Sequence, residues 1–309
     1  MIRLPHVLES RLETLSAALL QPGRGHRIDF TQPPGEAAFA GADSVSWRIF
    51  KNPIALLVGG IAAVILELAE PAVRTGVWSH SSFATDPMGR LQRTGLAAMV
   101  TVYGARSVAE PMIAGIVRMH SRITGETTAG EAFSASDVRL LTWVHATASY
   151  GFGAAYSRYV SPLSRLDIDR LYAEGAGAAR CYGALDTPTS EAGWQTLLLG
   201  MRGRLEPSDI VLQFLRIMRE TPAFPAPLRL MQPMLVRAAI ALIPEWTRST
   251  LGLTSLPVLS RLEKRVIQSA GAALDRIVLP ESPPSQSCRR LGLPSAYLYE
   301  SASVCRRRG

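Results

Sequence analysis

Apolar residues recur along most of the chain at the three- and four-residue spacing of an amphipathic helix. The helical pattern begins near Ser44–Trp47, and it predicts long helices over 137–159, 228–243 and 256–279. No run of alternating apolar and polar residues is convincing enough to predict a strand. The pattern therefore predicts an all-α protein in which one multi-helix domain packs around a shared core.

Several predicted helices start at a recognisable capping sequence. Asp86-Pro87 combines an N-cap side chain with a proline in the first helical position. Ser164 and Asp167 have the spacing of a capping box, with aspartate in place of the usual glutamate. Ser190 and Ser208 precede two shorter helices.

The segment 54–66 is wholly apolar or glycine and needs a membrane test. Its 13 residues fall short of the roughly 20 that span a bilayer, so the sequence favours a buried core helix. Glu67 and Glu70 end this segment. Either carboxylate could be a general base with a raised pKa, or it could pair with an arginine.

The order of these segments predicts three parts. Residues 1–44 contain an amphipathic helix near Leu8–Leu20 and a loop rich in proline and glycine. Residues 45–280 form the all-α domain, and residues 281–309 form a partly disordered tail whose aromatic patch, 297–299, docks on the body.

The basic charge of the chain does not predict a nucleic-acid partner. The net charge is +8, but lysines occur only at 51 and 264, and the arginines are mostly scattered singly along helices. No RNA-binding motif or zinc-finger spacing accompanies them. Peripheral contact with lipid phosphate is a separate interpretation that the sequence leaves open.

The cysteines and the N-terminus predict a cytoplasmic location. Cys181, Cys288 and Cys305 are far apart and fit no metal or redox spacing, which is typical of a reducing compartment. The first fifteen residues have acidic side chains where a signal peptide needs its apolar core. The oligomeric state is not predicted.

His120 is the first candidate for chemistry. It continues the helical spacing of Ile113, Ile116 and Val117, so the imidazole is expected to point into the core. On periodicity alone this favours a core histidine satisfied by a hydrogen bond. The alternative is a metal ligand whose second nitrogen is oriented by an acceptor.

Arg90, Arg93 and Thr94 are the second candidates, because offsets of three and four place them on one helical face. A solvated charged face is the simpler interpretation. However, the helix continues through small and apolar residues, so we expect it to be well buried, and buried arginines need anionic partners. Haem propionates would suit Arg90 or Arg93, and the hydroxyl of Thr94 is small enough to donate to bound O2.

Two further histidines are weaker candidates. His145 lies in the predicted helix 137–159, where it could line a pocket, bind iron or be a satisfied core residue. His80 lies in a loop-like stretch before the Asp86-Pro87 helix start and could touch a cofactor. The sequence has no phosphate-binding loop, dinucleotide glycine motif, nucleophile elbow or paired histidine motif. Ligation by a single histidine is the metal scheme most compatible with this inventory.

The same residues resemble a known family. The stretch from His80 through Asp86-Pro87 to Arg90-Leu-Gln-Arg93-Thr94, followed by Val117-Arg-Met-His120, resembles the core motif of the MpaB-like oxygenases. That family includes the catalytic domain of the latex clearing proteins, which are bacterial rubber oxygenases. The resemblance continues through the helix around Trp143-Val-His145-Ala and covers about residues 45–270.

The resemblance implies an all-α fold with a globin-like core that holds haem b. It implies that His120 is the proximal iron ligand, that Arg90 and Thr94 lie beside the haem, and that Arg93 lies on the distal side. In latex clearing proteins, which this chain resembles, the position that matches Arg93 is a lysine able to approach the iron. Arginine stays protonated and cannot replace a lysine as an iron ligand, so a lysine-gated haem is not implied. Many relatives also have a histidine where this chain has Glu70.

Three hypotheses of function follow. The first is a haem b-dependent oxygenase that acts with O2 on a small apolar molecule, such as an unsaturated lipid or terpenoid. The second is a haem-binding sensor or carrier without turnover, which would use the same residues. A helical protein that binds membrane surfaces without a cofactor is a third.

Overall fold

The computed structural model describes residues 28–83, 85–221 and 229–300, together with Ile2, Pro5 and Glu13. Its helices are α1 Val45–Phe50, α2 Pro53–Ala69, α3 Pro71–His80, α4 Pro87–Tyr103, α5 Arg106–His120, α6 Val138–Tyr159, α7 Arg165–Tyr182, α8 Glu191–Gly200, α9 Asp209–Glu220, α10 Gln232–Ile240, α11 Glu245–Thr250, α12 Arg261–Leu274 and α13 Pro283–Arg290. The predicted all-α fold is confirmed. The amphipathic stretch predicted near 8–20 lies outside the described residues apart from Glu13, and residues 301–309 lie outside them entirely.

Helix α2 is the centre of the fold. The side chain of Asn52 caps it by accepting from the backbone N–H groups of Ile54 and Ala55, and Pro53 occupies its first turn. Most of its residues are buried, as expected of a core helix. None of the described helices is long and apolar enough to cross a membrane alone; α2 and α3 meet that test only as a pair, which bends by 109°.

Helices α2 and α6 cross at two glycines. A Cβ atom on Gly59 would lie 2.7 Å from the Cα of Phe152, and one on Gly151 would collide with the carbonyl oxygen of Gly59. The two backbones therefore touch, and α6 packs along α2 more extensively than any other described helix does. This close pair is the scaffold on which the site residues are arranged.

The capping sequences define the helix starts as predicted. Asp86 accepts from the N–H of Gly89, and Ser164 forms the full capping box with Asp167. The two last long helices are shorter than the periodicity predicts. In the described part of the span 228–243, α10 covers Gln232–Ile240, and in the span 256–279, α12 covers Arg261–Leu274. A short antiparallel hairpin, β1 Thr124–Glu126 with β2 Ala132–Ser134, was not predicted, because three residues are too few for alternation to show.

The segment after α12 packs on the body of the protein. The guanidinium group of Arg290, in α13, donates to the backbone carbonyls of Phe30, Glu36 and Tyr103. Tyr299 is buried, as the aromatic patch predicts. These bonds tie both ends of the described chain to α4. The division into three parts stays a prediction.

Candidate functional site

The N-terminal half of α4 is less buried than its last turns. The hydroxyl of Tyr103 anchors the other end of the helix by donating to the carbonyl of Trp47 over 2.7 Å. The buried residues of α4 are Met99, Val100 and Tyr103, all in its last turns. Among the described residues, neither α4 nor α5 packs against α2 or α6 as extensively as α2 and α6 pack against each other. We expected α4 to be well buried. Its last turns are, whereas the residues from Pro87 to Ala98 are half-buried or exposed, with Leu91 packed against the main core cluster.

The helices that carry the other site residues each have a stripe of half-buried residues. On α2, the half-buried residues recur at helical spacing between fully buried ones: Leu57, Gly60, Val64 and Glu67. On α6, a matching half-buried stripe lies beside the glycine crossing: Leu141, Val144, Ala148 and Phe152. On α5, the half-buried residues are Met112, Ile116, Val117 and His120. We call these stripes, together with the N-terminal half of α4, the site cleft; its residues are mostly apolar.

Glu67, Arg90 and His120 come together at the cleft from three different helices. Burial raises the pKa of Glu67 to about 7, although the positive charge of Arg90 and a hydrogen bond with Thr147 oppose that shift. Burial also lowers the pKa of Arg90, against the attraction of Glu67, but an arginine stays protonated. The predicted need of Arg90 for an anionic partner is thus partly met within the protein.

His120 is half-buried at the C-terminal end of α5. Burial lowers its pKa, and the positive charge of Arg90 lowers it further. The imidazole is therefore neutral at pH 7, which is the form that binds a metal. Its Nδ1 atom is buried and has no hydrogen-bond partner among the described residues. The simpler interpretation, a core histidine satisfied by a hydrogen bond, does not account for that atom.

Arg93 and Thr94 are both exposed on α4. Arg93 donates to the hydroxyl of Ser82 over 2.6 Å and pairs with Asp86 over 3.5 Å. Its positive charge also contributes to the lowered pKa of Arg90. Arg93 therefore lies at the edge of the cleft, held by the loop that precedes its own helix.

His145 lies on a different side of α6 from Thr147, because two residues turn a helix by about 200°. Burial alone lowers its pKa to about 4. Its Nε2 atom has no partner among the described residues, but the backbone of Gly175 closes over it, since a Cβ atom there would lie 3.0 Å away. That side of the imidazole has no room for a ligand.

His80 is exposed and ends α3, so the loop-like stretch predicted around it begins one residue later. The arrangement thus brings Arg90 and His120 together, with Arg93 near Arg90. His80 and His145 are not part of the electrostatic group formed by Glu67, Arg90 and His120. Thr147 was missed, because its contact with Glu67 joins two helices and leaves no pattern in the sequence.

Glu70 has a structural role. Its buried carboxylate accepts from the N–H of Val73, which caps α3, and from Arg139 over 3.0 Å and Arg204 over 3.3 Å. Of the two open interpretations for this residue, pairing with arginine is the one that the structure supports.

A separate groove of about 440 Å³ lies between α3 and α9. It is lined by Trp78, Asp209, Leu212, Gln213, Arg216 and Ile217. None of the predicted site residues lines this groove, so we place the chemistry at the site cleft.

The residues at the site cleft fit a haem better than a metal ion held by protein alone. Among the described residues, no three histidine, cysteine or acidic side chains are grouped as ligands for an ion. A haem needs only one or two protein ligands, because the macrocycle supplies the others. His120 offers a neutral imidazole, Arg90 offers a cation for a propionate, and the stripe on α2 runs for about 15 Å beside them.

The comparisons with known proteins agree with an oxygenase assignment. The family model described as ER-bound oxygenase mpaB/B'/rubber oxygenase, catalytic domain, matches residues 47–276. No curated protein and no solved structure matches the chain.

Proposed function

The chain belongs to the family of mpaB-type and rubber oxygenase catalytic domains, and we propose that it is a haem b-dependent oxygenase of a small apolar, unsaturated substrate. The observation that supports a haem cofactor is the buried Nδ1 atom of His120, which has no hydrogen-bond partner among the described residues. A nitrogen in that state costs free energy unless something binds the ring.

His120 would hold the iron, and Arg90 would neutralise a propionate. The haem, when bound, would supply the activation of O2. Burial, assisted by the positive charge of Arg90, lowers the pKa of His120 and so favours the neutral imidazole that binds a metal. Arg93 and Thr94 would present donors at the edge of the cleft on the side of α4.

Glu67 is the residue suited to move a proton. With a pKa of about 7 it holds a proton in one half of the molecules and releases it in the other half near neutral pH. Its hydrogen bond with Thr147 and the charge of Arg90 keep the carboxyl group at the wall of the cleft. A nearby proton acceptor with this pKa is what an oxygenase reaction on an allylic carbon could use.

The apolar stripes on α2 and α6 support an apolar substrate class. Leu57, Val64, Val144 and Phe152 offer hydrocarbon surface and no hydrogen-bonding group, so they would bind an unsaturated lipid or terpenoid chain and exclude water. A cytoplasmic location stays a prediction.

The cofactor is tested by the absorption spectrum of protein that is produced with a haem supply. We expect a Soret band in the wild type, its loss in His120→Ala and its retention in His145→Ala, which removes the other buried histidine. A protein without a Soret band, or a band unchanged in His120→Ala, contradicts the proposal.

Turnover is tested by O2 consumption and product analysis with short isoprenoid oligomers and unsaturated fatty acids. Product formation supports an oxygenase. Reversible binding of O2 or CO without any product would instead support the alternative, a haem-binding sensor or carrier.

A further inference from the structure

Three aliphatic side chains form an exposed ridge on the outside of α12 and the turn before it. Val258 is 77% exposed, Leu262 72% and Val266 43%. Leu262 and Val266, four residues apart, lie on one face of α12, and Val258 lies in the turn that precedes the helix. We call these three residues the α12 ridge.

Positive charge flanks the α12 ridge. Arg261 and Arg265 are both exposed beside it. The one acidic residue of α12 is Glu263, and its carboxylate accepts from the N–H of Ser260 and pairs with Arg237. The outer face of α12 therefore combines apolar side chains with cations whose charge no carboxylate of the same helix neutralises.

The fold presents the α12 ridge rigidly. A capping box between Ser260 and Glu263 fixes the start of the helix. On the inner face, Ile267 is fully buried and Gly271 lies against the carbonyl of Tyr159, where a Cβ atom would collide. Because the inner face is committed to the core, the outer face cannot turn inward to bury its aliphatic side chains.

We propose that the α12 ridge docks on the surface of an anionic lipid membrane. Aliphatic side chains can enter the boundary between head groups and acyl chains while arginines on either side pair with lipid phosphate. A symmetric contact of two copies through the α12 ridge would bring the arginines of both copies into one interface, where their like charges repel. Charge complementarity thus favours lipid, and this partner does not depend on the cofactor.

The test is flotation of the purified protein with vesicles of phosphatidylcholine alone or mixed with phosphatidylglycerol. We expect binding to the anionic vesicles only, and weaker binding at high salt because ions screen the arginines. The double substitution Leu262→Gln with Val266→Gln should weaken binding by about tenfold or more, because two aliphatic side chains no longer enter the membrane. Arg261→Gln with Arg265→Gln should weaken it by a similar factor and reduce its dependence on salt.

Matched control variants are Leu199→Gln on α8 and Arg180→Gln on α7, both exposed positions elsewhere. We expect binding within about twofold of wild type for these controls, and thermal unfolding should show that every variant folds. Absence of binding to anionic vesicles, or equal loss in the controls and the ridge variants, overturns the proposal. So does a dimer that the ridge variants dissociate, since the α12 ridge would then be an interface between two copies.

Discussion

The carboxyl group of Glu67, in the last turn of the central helix, lies beside the guanidinium group of Arg90, in the half-buried N-terminal half of α4. Burial disfavours the charge of Glu67, and Arg90 compensates only in part, so the pKa of this carboxyl group rises to about 7 from the ordinary 4.5. The pair therefore changes its net charge within the physiological range of pH.

This pKa predicts how stability depends on pH. An acid with a raised pKa destabilises the folded state as it ionises, so its contribution is favourable below pH 4.5 and is lost as pH rises through about 7. In Glu67→Gln this loss is absent. Relative to wild type, the free energy of unfolding of the variant should therefore increase between pH 4.5 and 8. The increase should be at most about 3 kcal/mol, because Glu67 keeps some contact with solvent in the cleft. Urea unfolding at both pH values measures it, and a difference independent of pH contradicts it.

His145 should show the opposite dependence. Burial lowers the pKa of this imidazole to about 4 from 6.5, so the neutral form stabilises the fold and that contribution is lost as pH falls from 6.5 through about 4. In His145→Asn the loss should be absent, and the wild type should lose up to about 3 kcal/mol more than the variant between pH 7 and 4. Proton NMR of the histidine ring, assigned with the same variant, checks the titration directly; a midpoint near 6.5 would show that the ring is solvated.

The crossing of α2 and α6 should not accept a methyl group. Gly151→Ala places a Cβ atom against the carbonyl of Gly59 and should cost about 1–3 kcal/mol, because two backbones must separate. Gly200→Ala, at the end of α8, meets no atom within 4 Å and should be neutral or slightly stabilising. Thermal unfolding of the two variants gives the comparison, and equal effects would show that the helices are not in backbone contact.

Glu70 should matter for stability and not for haem binding. In Glu70→Gln, Arg139 and Arg204 lose the buried carboxylate that pairs with them. This loss should lower the free energy of unfolding by about 1–3 kcal/mol. Glu110→Gln removes an exposed pair with Arg106 within α5 and should cost below about 0.5 kcal/mol. Chemical denaturation measures both variants. A Soret band that disappears in Glu70→Gln at a temperature where the protein is folded would assign this residue to the haem site instead.

The sequence by itself determined the helices and the family. Helix starts depend on side chains a few residues apart, so Asp86 and Ser164 predict them correctly. Helix ends depend on tertiary packing, and for this reason the helices that end at Ile240 and Leu274 stop short of their apolar patterns. The candidate residues Arg90 and His120 could be named because their order along the chain resembles a known family.

Only the tertiary structure decided which of those residues meet. Glu67, Thr147, Arg90 and His120 come from four helices, and contacts between distant segments leave no periodicity to read. Burial was equally undetermined: the apolar pattern predicts that α4 is well buried, but Arg93 and Thr94 are exposed and full burial is confined to its last turns. The protonation of Glu67 and His145 follows from this packing, because the pKa of a group depends on the solvent and charges that surround it in the folded state.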